Sequence, residues 1–397
     1  MPLLYRIPLS ASKAPPPTTN NLYVWGRNQA GQLGDGTTTN RSSPIFIVDS
    51  VQTVSVSLGG DFSHFIKSGE LWGSGYNNYG AIGDNSTTSV SSPVQVGSDT
   101  DWSNVAGGTY HTLALKGGGF GAALFAWGGN FYGALGDGTT NGQSSPVQIG
   151  ANTSWIQISA SLHSLGIYYE GSNYEIGTLW AWGYNGFGEL GLGDTTNRSS
   201  PVQVGSDDWW FLVDAGYFHS AAIKWDAQGF GEYSLWTWGW NVDGQLGDGT
   251  TTDRSSPVQV TSSYNRMISV SCGFYHTAYI LEDSYGGSLW TFGANGRGQL
   301  GDGTTTGRSS PVQVGAGNDW LYVACGNDNT YALKTDGTLW AWGWGFYGQL
   351  GNGTSGFGTD KSSPVQVGSL TTWVLPIEPF SYAYLSGGSN TAMAILS

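Results

Sequence analysis

The sequence is poor in charged residues, and those it has are mostly acidic. Only 11% of its 397 residues are charged, and 14 Lys and Arg against 28 Asp and Glu leave a net charge of −14. Nucleic-acid affinity depends on clustered Lys and Arg. Because these residues are scattered along the chain, we expect no nucleic-acid partner.

Long apolar runs are also missing. No stretch of about 18 apolar residues is present, so we expect no membrane-spanning helix. The first 17 residues lack the apolar core of roughly 7–15 residues that a secretory signal requires. The sequence therefore predicts a soluble protein that does not insert into a membrane. Its low charge and its many Gly, Thr, Ser and Asn residues suit a virion or an extracellular surface.

The two cysteines are too few for a disulfide framework. Cys272 and Cys325 occur in similar contexts, Ser-Cys-Gly and Ala-Cys-Gly. We predict that both are small buried hydrophobic side chains. A bridge or a reactive thiol is the alternative.

Self-similarity is the most informative property of the sequence. An element of the form Trp-Gly-x-Asn-x-x-Gly-x-Leu-Gly recurs, with some variation, at intervals of 49–56 residues, and each copy is followed by Ser-Ser-Pro. A period near 50 with about four short strands per unit is typical of propeller blades. The sequence therefore predicts an all-β, seven-bladed β-propeller over residues 21–397; a β-helix is the alternative, although its repeats are shorter. The copies begin at Trp25, Ser74, Trp127, Trp182, Trp238, Phe292 and Trp342.

The strands of each unit are apolar on both faces. In residues 179–182 (Leu-Trp-Ala-Trp), the two tryptophans face one side while Leu and Ala face the other. Such a strand fits between neighbouring sheets. The pattern starts with the strand at residues 22–25 and ends with the strand at 391–396, which are consecutive in every internal unit. We therefore expect the N-terminal strand to complete the last blade beside the C-terminal one, so that no edge stays open.

The repeat resembles that of the regulator of chromosome condensation (RCC1) family. The resemblance rests on Gly-x-x-His-Ser/Thr followed by Leu-Trp-Ala-Trp-Gly-x-Asn-x-x-Gly-Gln-Leu-Gly, and it covers residues 21–397 in seven tandem copies. It implies a propeller that binds other macromolecules. The extension Asp-Gly-Thr-Thr-Thr-x-Arg-Ser-Ser-Pro-Val-Gln-Val is more similar to bacterial and viral members than to the eukaryotic exchange factor. With the acidic charge, this argues against chromatin binding and Ran exchange activity.

All five histidines belong to the repeat pattern, His64 with a shift of about one residue. Asn takes their place in the two remaining units, and Asn replaces a hydrogen-bonding group better than it replaces a metal ligand. We therefore predict that these side chains satisfy turn backbone inside each blade and that no metal is bound. The residues are His64, His111, His163, His219 and His276, with Asn329 and Asn390 in the remaining units.

A recurring Leu-Gly-Asp-Gly turn raises the question of calcium. Calcium needs about 6–8 oxygen ligands, and no second carboxylate recurs at a fixed spacing. In three units an Arg follows the Asp by six residues, which predicts a turn lock or ion pair instead. The pairs are Asp35 with Arg41, Asp248 with Arg254 and Asp302 with Arg308; Asp137 has no such Arg, and Leu192 and Asn352 replace the Asp elsewhere.

No catalytic motif stands out from the repeats. There is no Gly-x-Ser-x-Gly elbow, P-loop or separate carboxylate dyad, so we predict a non-enzymatic protein without a cofactor. Plant UV-B receptors, which resemble this family, use Trp beside Arg in Gly-Trp-Arg-His-Thr motifs. The equivalent stretches 108–112, 216–220 and 273–277 lack both residues, so light sensing is not expected.

Function should lie where the repeats differ, and the hairpin after the His-bearing strand varies most. Four consecutive units lengthen it, at residues 116–123, 169–178, 224–234 and 281–288. We predict that aromatic side chains of these hairpins form a crescent on one face that binds a protein or, alternatively, a glycan on a receptor. Packing against the propeller rim is the competing interpretation. The crescent residues are Phe120, Tyr169, Tyr174, Trp225, Phe230, Tyr233 and Tyr285.

Residues 1–20 lie outside the repeats. Five apolar residues precede Pro15-Pro16-Pro17, which forms a semi-rigid spacer. We predict that this segment is a docking arm that tethers the propeller to a larger assembly, such as a phage virion or an extracellular surface structure. The apolar residues of the arm are Leu3, Leu4, Tyr5, Ile7 and Leu9.

Overall fold

The computed structural model describes residues 20–51, 56–118, 121–169, 176–226, 232–263, 265–283, 286–373, 385–388 and 390–396. Within these ranges the strands form seven four-stranded antiparallel units, which are the predicted blades. Single bridges also join neighbouring blades, at Gly287 with Trp320, Ala122 with Trp155 and Gly177 with Trp210. Over the same ranges, no helix has the length and apolar character needed to cross a bilayer.

The blades follow one another along the chain. The closing blade contains β27 (Leu385–Gly387), β28 (Thr391–Leu396), β1 (Asn20–Gly26) and β2 (Arg41–Val51); blade 1 contains β3 (Val56–Leu58), β4 (Phe62–Lys67), β5 (Glu70–Gly75) and β6 (Val90–Gln95); blade 2 contains β7 (Trp102–Gly107), β8 (His111–Lys116), β9 (Ala123–Gly128) and β10 (Gln143–Gln148); blade 3 contains β11 (Trp155–Ala160), β12 (His163–Tyr168), β13 (Thr178–Gly183) and β14 (Arg198–Gln203). Blade 4 contains β15 (Trp210–Ala215), β16 (His219–Asp226), β17 (Glu232–Gly239) and β18 (Arg254–Ser263); blade 5 contains β19 (Met267–Cys272), β20 (His276–Asp283), β21 (Gly286–Gly293) and β22 (Arg308–Gln313); blade 6 contains β23 (Trp320–Cys325), β24 (Asn329–Lys334), β25 (Leu339–Gly343) and β26 (Lys361–Gln366).

The hydrophobic core lies between blades rather than within one sheet. Each of seven apolar clusters joins two neighbouring blades. Between blades 3 and 4, for example, Leu179 and Ala181 pack with Trp210 and Trp238. A single blade has two apolar faces that it cannot bury alone, so the ring is the unit of stability. This arrangement confirms the prediction from the two-faced strands.

The two ends of the chain close the ring, as predicted. β1 pairs with β28 from Asn21 opposite Leu396 to Gly26 opposite Thr391, and β2 and β27 complete the sheet on either side. A tryptophan contact extends across the closure, because Trp25 Nε1 donates to the Gln349 carbonyl of blade 6 at 2.9 Å. The closing blade thus contacts its neighbour in the same way as the internal blades.

Candidate functional site

The strand order gives the propeller two distinct faces. We use the name turn face for the end at which the first and second, and the third and fourth, strands of each blade are connected. The hairpin face is the opposite end, where the second and third strands are connected. The first strands lie innermost and enclose a central cavity of about 740 Å³.

The third-to-fourth loops of the turn face are held by the repeated Asn and Asp. In blade 4, Asn241 Nδ2 donates to Asp248 Oδ1 at 3.2 Å, and Asn241 Oδ1 accepts from the Leu246 amide at 3.0 Å. Arg254 forms an ion pair with Asp248 at 2.7 Å. The same pairs form between Arg41 and Asp35 and between Arg308 and Asp302. The predicted turn lock is therefore confirmed.

The structure corrects the expectation for this loop in blade 3. Leu192 occupies the aspartate's place in blade 3, which suggested that the lock is lost there. Instead, Asp194 accepts from Asn185 Nδ2 at 3.2 Å and pairs with Arg198 at 2.6 Å. A shift of two residues along the loop preserves the ion pair.

Each of these loops also binds the next blade. In blade 4 the Gly249 amide donates to the Ser309 carbonyl in the Ser-Ser-Pro segment of blade 5, at 2.7 Å. The equivalent bond recurs around the ring and closes it through Gly353 and Ser42. Gly244 has φ +78°, and a Cβ there would lie 2.7 Å from Ser309 Cα, which explains why the motif requires glycine.

The histidines are buried and hydrogen-bonded, but most bond to a different partner than predicted. His64 Nε2 contacts the Ile82 carbonyl of its own blade at 3.1 Å, but His64 lies two residues beyond the repeat position, where Phe62 stands opposite Gly75 as His111 stands opposite Gly128. In the closing blade Thr391, and not Asn390, holds this position opposite Gly26. His219 instead contacts Thr277 of the next blade at 2.8 Å, and Thr277 donates its only hydroxyl proton to the Gln245 carbonyl. The imidazole must therefore donate through Nε2. Such bonds connect blades and not only turns; the other pairs are His111 with Ser164, His163 with Ser220 and His276 with Thr330.

Burial sets the protonation state of these histidines. It lowers the pKa of His64 and His111 to about 4, and that of His163, His219 and His276 to about 3. They are therefore neutral at physiological pH. Among the described residues, no three His, Cys, Asp or Glu side chains are grouped so that they could hold a metal ion.

The central cavity is lined by a hydrogen-bonded carboxylate, Asp214, and by two buried thiols, Cys272 and Cys325. Asp214 Oδ1 accepts from Ser159 Oγ and its Oδ2 accepts from the Cys272 amide, both at 2.7 Å, so the carboxylate connects three blades. Burial raises the pKa of Asp214 and of the Cys272 and Cys325 thiols. Both cysteines are buried and unbridged, which confirms the prediction made from the sequence.

Of the predicted crescent, the described residues Tyr169, Trp225 and Tyr233 lie on the hairpin face. Trp225 and Tyr233 lie opposite each other in the hairpin of blade 4, with ring centroids 6.3 Å apart and planes 21° apart. Both are half-buried and pack against the core cluster between blades 4 and 5. Tyr169 is half-buried at the end of β12. The remaining crescent residues, Phe120, Tyr174, Phe230 and Tyr285, and the arm residues Leu3, Leu4, Tyr5, Ile7 and Leu9 lie outside the described residues.

The turn face carries a larger set of aromatic side chains, which were not predicted from the sequence as a surface. They extend over blades 1–5, and their rings contact one another from blade to blade, for example Tyr132 with Tyr184 at 4.8 Å and Tyr217 with Phe274 at 3.7 Å. Phe131 is 54% exposed and Tyr132 is 40% exposed. We call this set the aromatic belt; it consists of Tyr76, Tyr79, Tyr110, Phe131, Tyr132, Tyr184, Phe187, Tyr217, Phe218, Trp240, Phe274 and Tyr275.

A signal for the belt is present in the repeat motif. The belt residues occupy the variable positions of Trp-Gly-x-Asn-x-x-Gly and of the Gly-x-x-His turn. Invariant positions of these motifs face inward and hold the loop, so the variable positions face solvent. Aromatic residues at solvent-facing positions of five consecutive blades indicate a binding surface.

Outside the belt, the aromatic rings of the turn face lie beside arginine side chains. Trp344 and Tyr347 of blade 6 lie beside two of the chain's own arginines, with Arg297 Cζ 5.4 Å from the Trp344 ring centroid and Arg27 Cζ 5.6 Å from that of Tyr347. Over the described part of the chain, no Lys or Arg lies against a ring of the aromatic belt in this way. The chain's own cations thus cover one aromatic group and leave the belt open.

Beneath the belt, Glu189 is an exception among the repeats. Glutamine occupies its place in four other units, as Gln32, Gln245, Gln299 and Gln349. Glu189 is fully buried; its Oε2 accepts from the Phe187 amide at 2.9 Å, whereas Oε1 has no hydrogen-bond partner among the described residues. Burial raises the pKa of Glu189 to about 7, the backbone hydrogen bonds partly offset this, and the nearby Asp253 carboxylate adds to it.

Comparison with known proteins agrees with the repeat structure. The model of the regulator of chromosome condensation (RCC1) repeat matches residues 20–66, 68–115, 122–164, 177–223, 234–280, 286–333 and 336–378. The chain is 32% identical over 320 residues to the ultraviolet-B receptor UVR8 of Arabidopsis thaliana, covering 78% of this chain and 69% of that protein. It is 33% identical over 232 residues to the human probable E3 ubiquitin-protein ligase HERC4, covering 57% of this chain but only 20% of that protein.

A solved structure supports the fold. Yeast RCC1 (Prp20), solved bound to Kap60, superposes with a TM-score of 0.77 at 18% identity, covering 95% of this chain and 89% of that one. These relatives are eukaryotic, so the expectation of a bacterial or viral member, which was drawn from the loop sequences, finds no support. With seven repeat matches over most of its length, the chain belongs to the regulator of chromosome condensation (RCC1) repeat family.

Proposed function

We propose that this chain is a non-enzymatic propeller that binds a protein partner through the aromatic belt of its turn face. The observation that carries the proposal is the continuous, partly exposed set of aromatic rings over blades 1–5. Tyr and Trp dominate binding energy at protein interfaces, because they bury a large area at a small cost in conformational entropy. Yeast RCC1, which shares the fold, was solved in complex with the protein Kap60.

Three features of the belt suit a protein surface. Its third-to-fourth loops are fixed by Asn–Asp hydrogen bonds, with an Arg added in blades 3 and 4, and both kinds of turn-face loop bond to the next blade, so little ordering is needed on binding. Exposed apolar rings such as Phe131 lie in loops that also carry polar Asn and Thr residues, as in a hot spot with a polar rim. The net charge of −14 disfavours nucleic acid and favours a basic partner.

The test is affinity capture from an extract of cells that naturally express the chain, quantified by mass spectrometry. The belt variant replaces Tyr79, Phe131 and Tyr132 by Ser; these residues are 39%, 54% and 40% exposed, so the fold should be retained. The matched control replaces Trp225 and Tyr233 on the hairpin face. We expect proteins captured by the wild type to be lost at least tenfold with the belt variant and retained with the control. Retention by the belt variant would refute the proposal.

Glycan binding by the hairpin-face crescent is the alternative function. The stacked pair Trp225 and Tyr233 favours it, since flat aromatic surfaces also bind sugar rings. A glycan array distinguishes the two: saccharide binding that depends on Trp225 and Tyr233, but not on the belt, would replace the protein-binding proposal.

The docking arm is part of the proposal as a tether. In this view, residues 1–20 attach the propeller to a larger assembly while the belt remains free for its partner. A virion or extracellular setting rests on composition alone. Deletion of the arm, treated in the Discussion, tests the tether independently of that setting.

A further inference from the structure

The aromatic belt contains one place where a cluster of rings lies close to a buried carboxylate, Glu189, which accepts from the Phe187 amide and acts electrostatically on Tyr184. Phe187 stacks on Trp240 with ring centroids 5.7 Å apart and planes 29° apart, and Phe218 lies edge-on to Phe187 at 5.3 Å and to Trp240 at 5.5 Å. Tyr184 lies 6.0 Å from Phe218. We call these four rings the cage. Each is half-buried, so each leaves part of its surface open to solvent.

The carboxylate under the cage stands where other blades place a hydrogen-bond donor. Gln32 Nε2 donates to Asp61, and Gln299 Nε2 donates to Asp328, each at 3.3 Å and each to the residue that precedes the second strand of the next blade. Beside Glu189 that position is Phe218, which offers no hydrogen-bond donor. Glu189 therefore replaces a neutral donor by an acceptor that can carry a negative charge, and one of its oxygens has no partner in the described structure.

The opposite side of the turn face shows which groups such rings bind. There the Trp344 and Tyr347 rings lie beside the guanidinium groups of Arg297 and Arg27. The cage has the same ring chemistry and an added carboxylate, but no described Lys or Arg lies over its rings. Cations bind aromatic faces within about 6 Å of the ring centroid, and a nearby anion strengthens that attraction where water is excluded.

We propose that the cage binds an alkylammonium group, supplied by a lysine side chain of the protein partner. The ammonium lies against the open faces of the rings, with Glu189 below them as the counter-charge. Because a bound cation favours the ionised form of a neighbouring carboxyl group, ligand and carboxylate stabilise each other. The inference rests on the proposed function, since it names the chemistry that the belt recognises.

The test uses ligand-observed NMR with the whole chain and four probes. Three are acetyl-glycyl-X-glycinamide peptides in which X is lysine, trimethyllysine or norleucine, the last being an uncharged analogue of the lysine side chain. The fourth is choline, a free ammonium compound. We expect the two charged peptides to bind at least about tenfold more tightly than the norleucine peptide, as a cation–π contribution of this kind implies. Choline binding as tight as that of the peptides would support the ammonium site but assign it to a free ligand.

Two variants locate the site. Glu189→Gln introduces the residue that four other blades carry, so it should fold, and we expect it to weaken the charged peptides about five- to tenfold without affecting norleucine. Trp240→Leu should weaken them at least as much, whereas Trp344→Leu, on the arginine-covered side, should leave them unchanged. Equal binding of norleucine and lysine, or full affinity in Glu189→Gln, would overturn the inference.

The outcomes also separate this inference from the proposed function. If the norleucine peptide binds as well as the lysine peptide but the belt variant still loses its captured protein, the belt binds a partner without an ammonium anchor. If the charged peptides require Glu189 but the belt variant captures proteins normally, the cage is a ligand site and the protein-binding surface lies elsewhere.

Discussion

The substitution Glu189→Gln should stabilise the protein in a pH-dependent manner. In the folded state the pKa of Glu189 is raised from 4.5 to about 7. The unfolded chain therefore releases its proton at lower pH than the folded chain, so stability falls as pH rises from 4.5 to 7 and is lowest above 7. Each pKa unit corresponds to about 1.4 kcal/mol, so ionised Glu189 costs roughly 3 kcal/mol of folding free energy above pH 7.

Glutamine at position 189 does not ionise, so the variant avoids this cost. For a chain of 397 residues, an unfolding entropy of about 2 cal/mol/K per residue converts 3 kcal/mol into roughly 4 °C of melting temperature. Differential scanning calorimetry at pH 8 and pH 5 measures the difference between variant and wild type. We expect about 4 °C at pH 8 and much less at pH 5. The buried histidines titrate in both proteins, so they cancel in this difference.

The opposite substitution at the equivalent position of another blade is the control for the effect of a buried carboxyl group. Gln245 occupies the equivalent place in blade 4, and Gln245→Glu should introduce a new loss of stability between pH 5 and 8. An equal melting-temperature difference between wild type and Glu189→Gln at both pH values would show that the carboxyl group is not destabilised by burial. Glu189 thus lowers stability where glutamine would not, which is common for residues retained for binding.

Three further outcomes are expected. Deleting residues 1–25 should remove β1 and expose the closing blade, lowering the melting temperature by at least 10 °C; unchanged melting would contradict ring closure. His219→Asn, which introduces the residue found at Asn329, should reduce the destabilisation between pH 6.5 and 4, because His219, with a pKa lowered to about 3, resists protonation only in the folded state; acid titrations followed by circular dichroism measure this, and identical acid transitions would argue against it. Deleting residues 1–14 should preserve melting and abolish co-sedimentation with the assembly; normal co-sedimentation would refute the tether.

Much of the fold could be predicted because seven repeats of similar sequence form the same set of strands. Seven Ser-Ser-Pro segments and seven copies of the Trp-Gly element, two of them with Ser74 or Phe292 in place of Trp, gave the blade number. The apolar faces of strands such as β13 gave their position between sheets. The closure by β1 and β28 followed from chain order alone. These features depend on local pattern, which is readable in the sequence.

The partners of the buried polar groups could not be read in the same way. His219 bonds to Thr277 of the next blade because the second strands of these two blades begin close together at the turn face, a relation that the order of residues does not reveal. In blade 3, Asp194 takes the role expected at position 192, because its carboxylate reaches both Asn185 and Arg198 from two residues further along the loop. The motif spacing suggested that the Asp–Arg ion pair is lost in blade 3, whereas Asp194 and Arg198 form it in the structure.

The aromatic belt was not predicted, because the repeats differ most in length at the hairpins and not at the turn face. Variable hairpins suggested the crescent, whereas the belt uses motif positions of constant spacing whose residue type varies. In the Gly-x-x-His turns, Tyr217, Phe218, Phe274 and Tyr275 were weighed only for the absence of Trp and Arg. That these rings meet across blades depends on the ring geometry of the propeller.

Hydrogen–deuterium exchange of the chain with and without its captured partner tests the central claim most directly. If the belt is the binding surface, amides of residues 129–135, 184–190, 216–218 and 240–246 should be protected by the partner, while those of the hairpin at residues 224–234 should exchange unchanged. Protection confined to the hairpin face, with the turn face exchanging as in the free protein, would contradict the account.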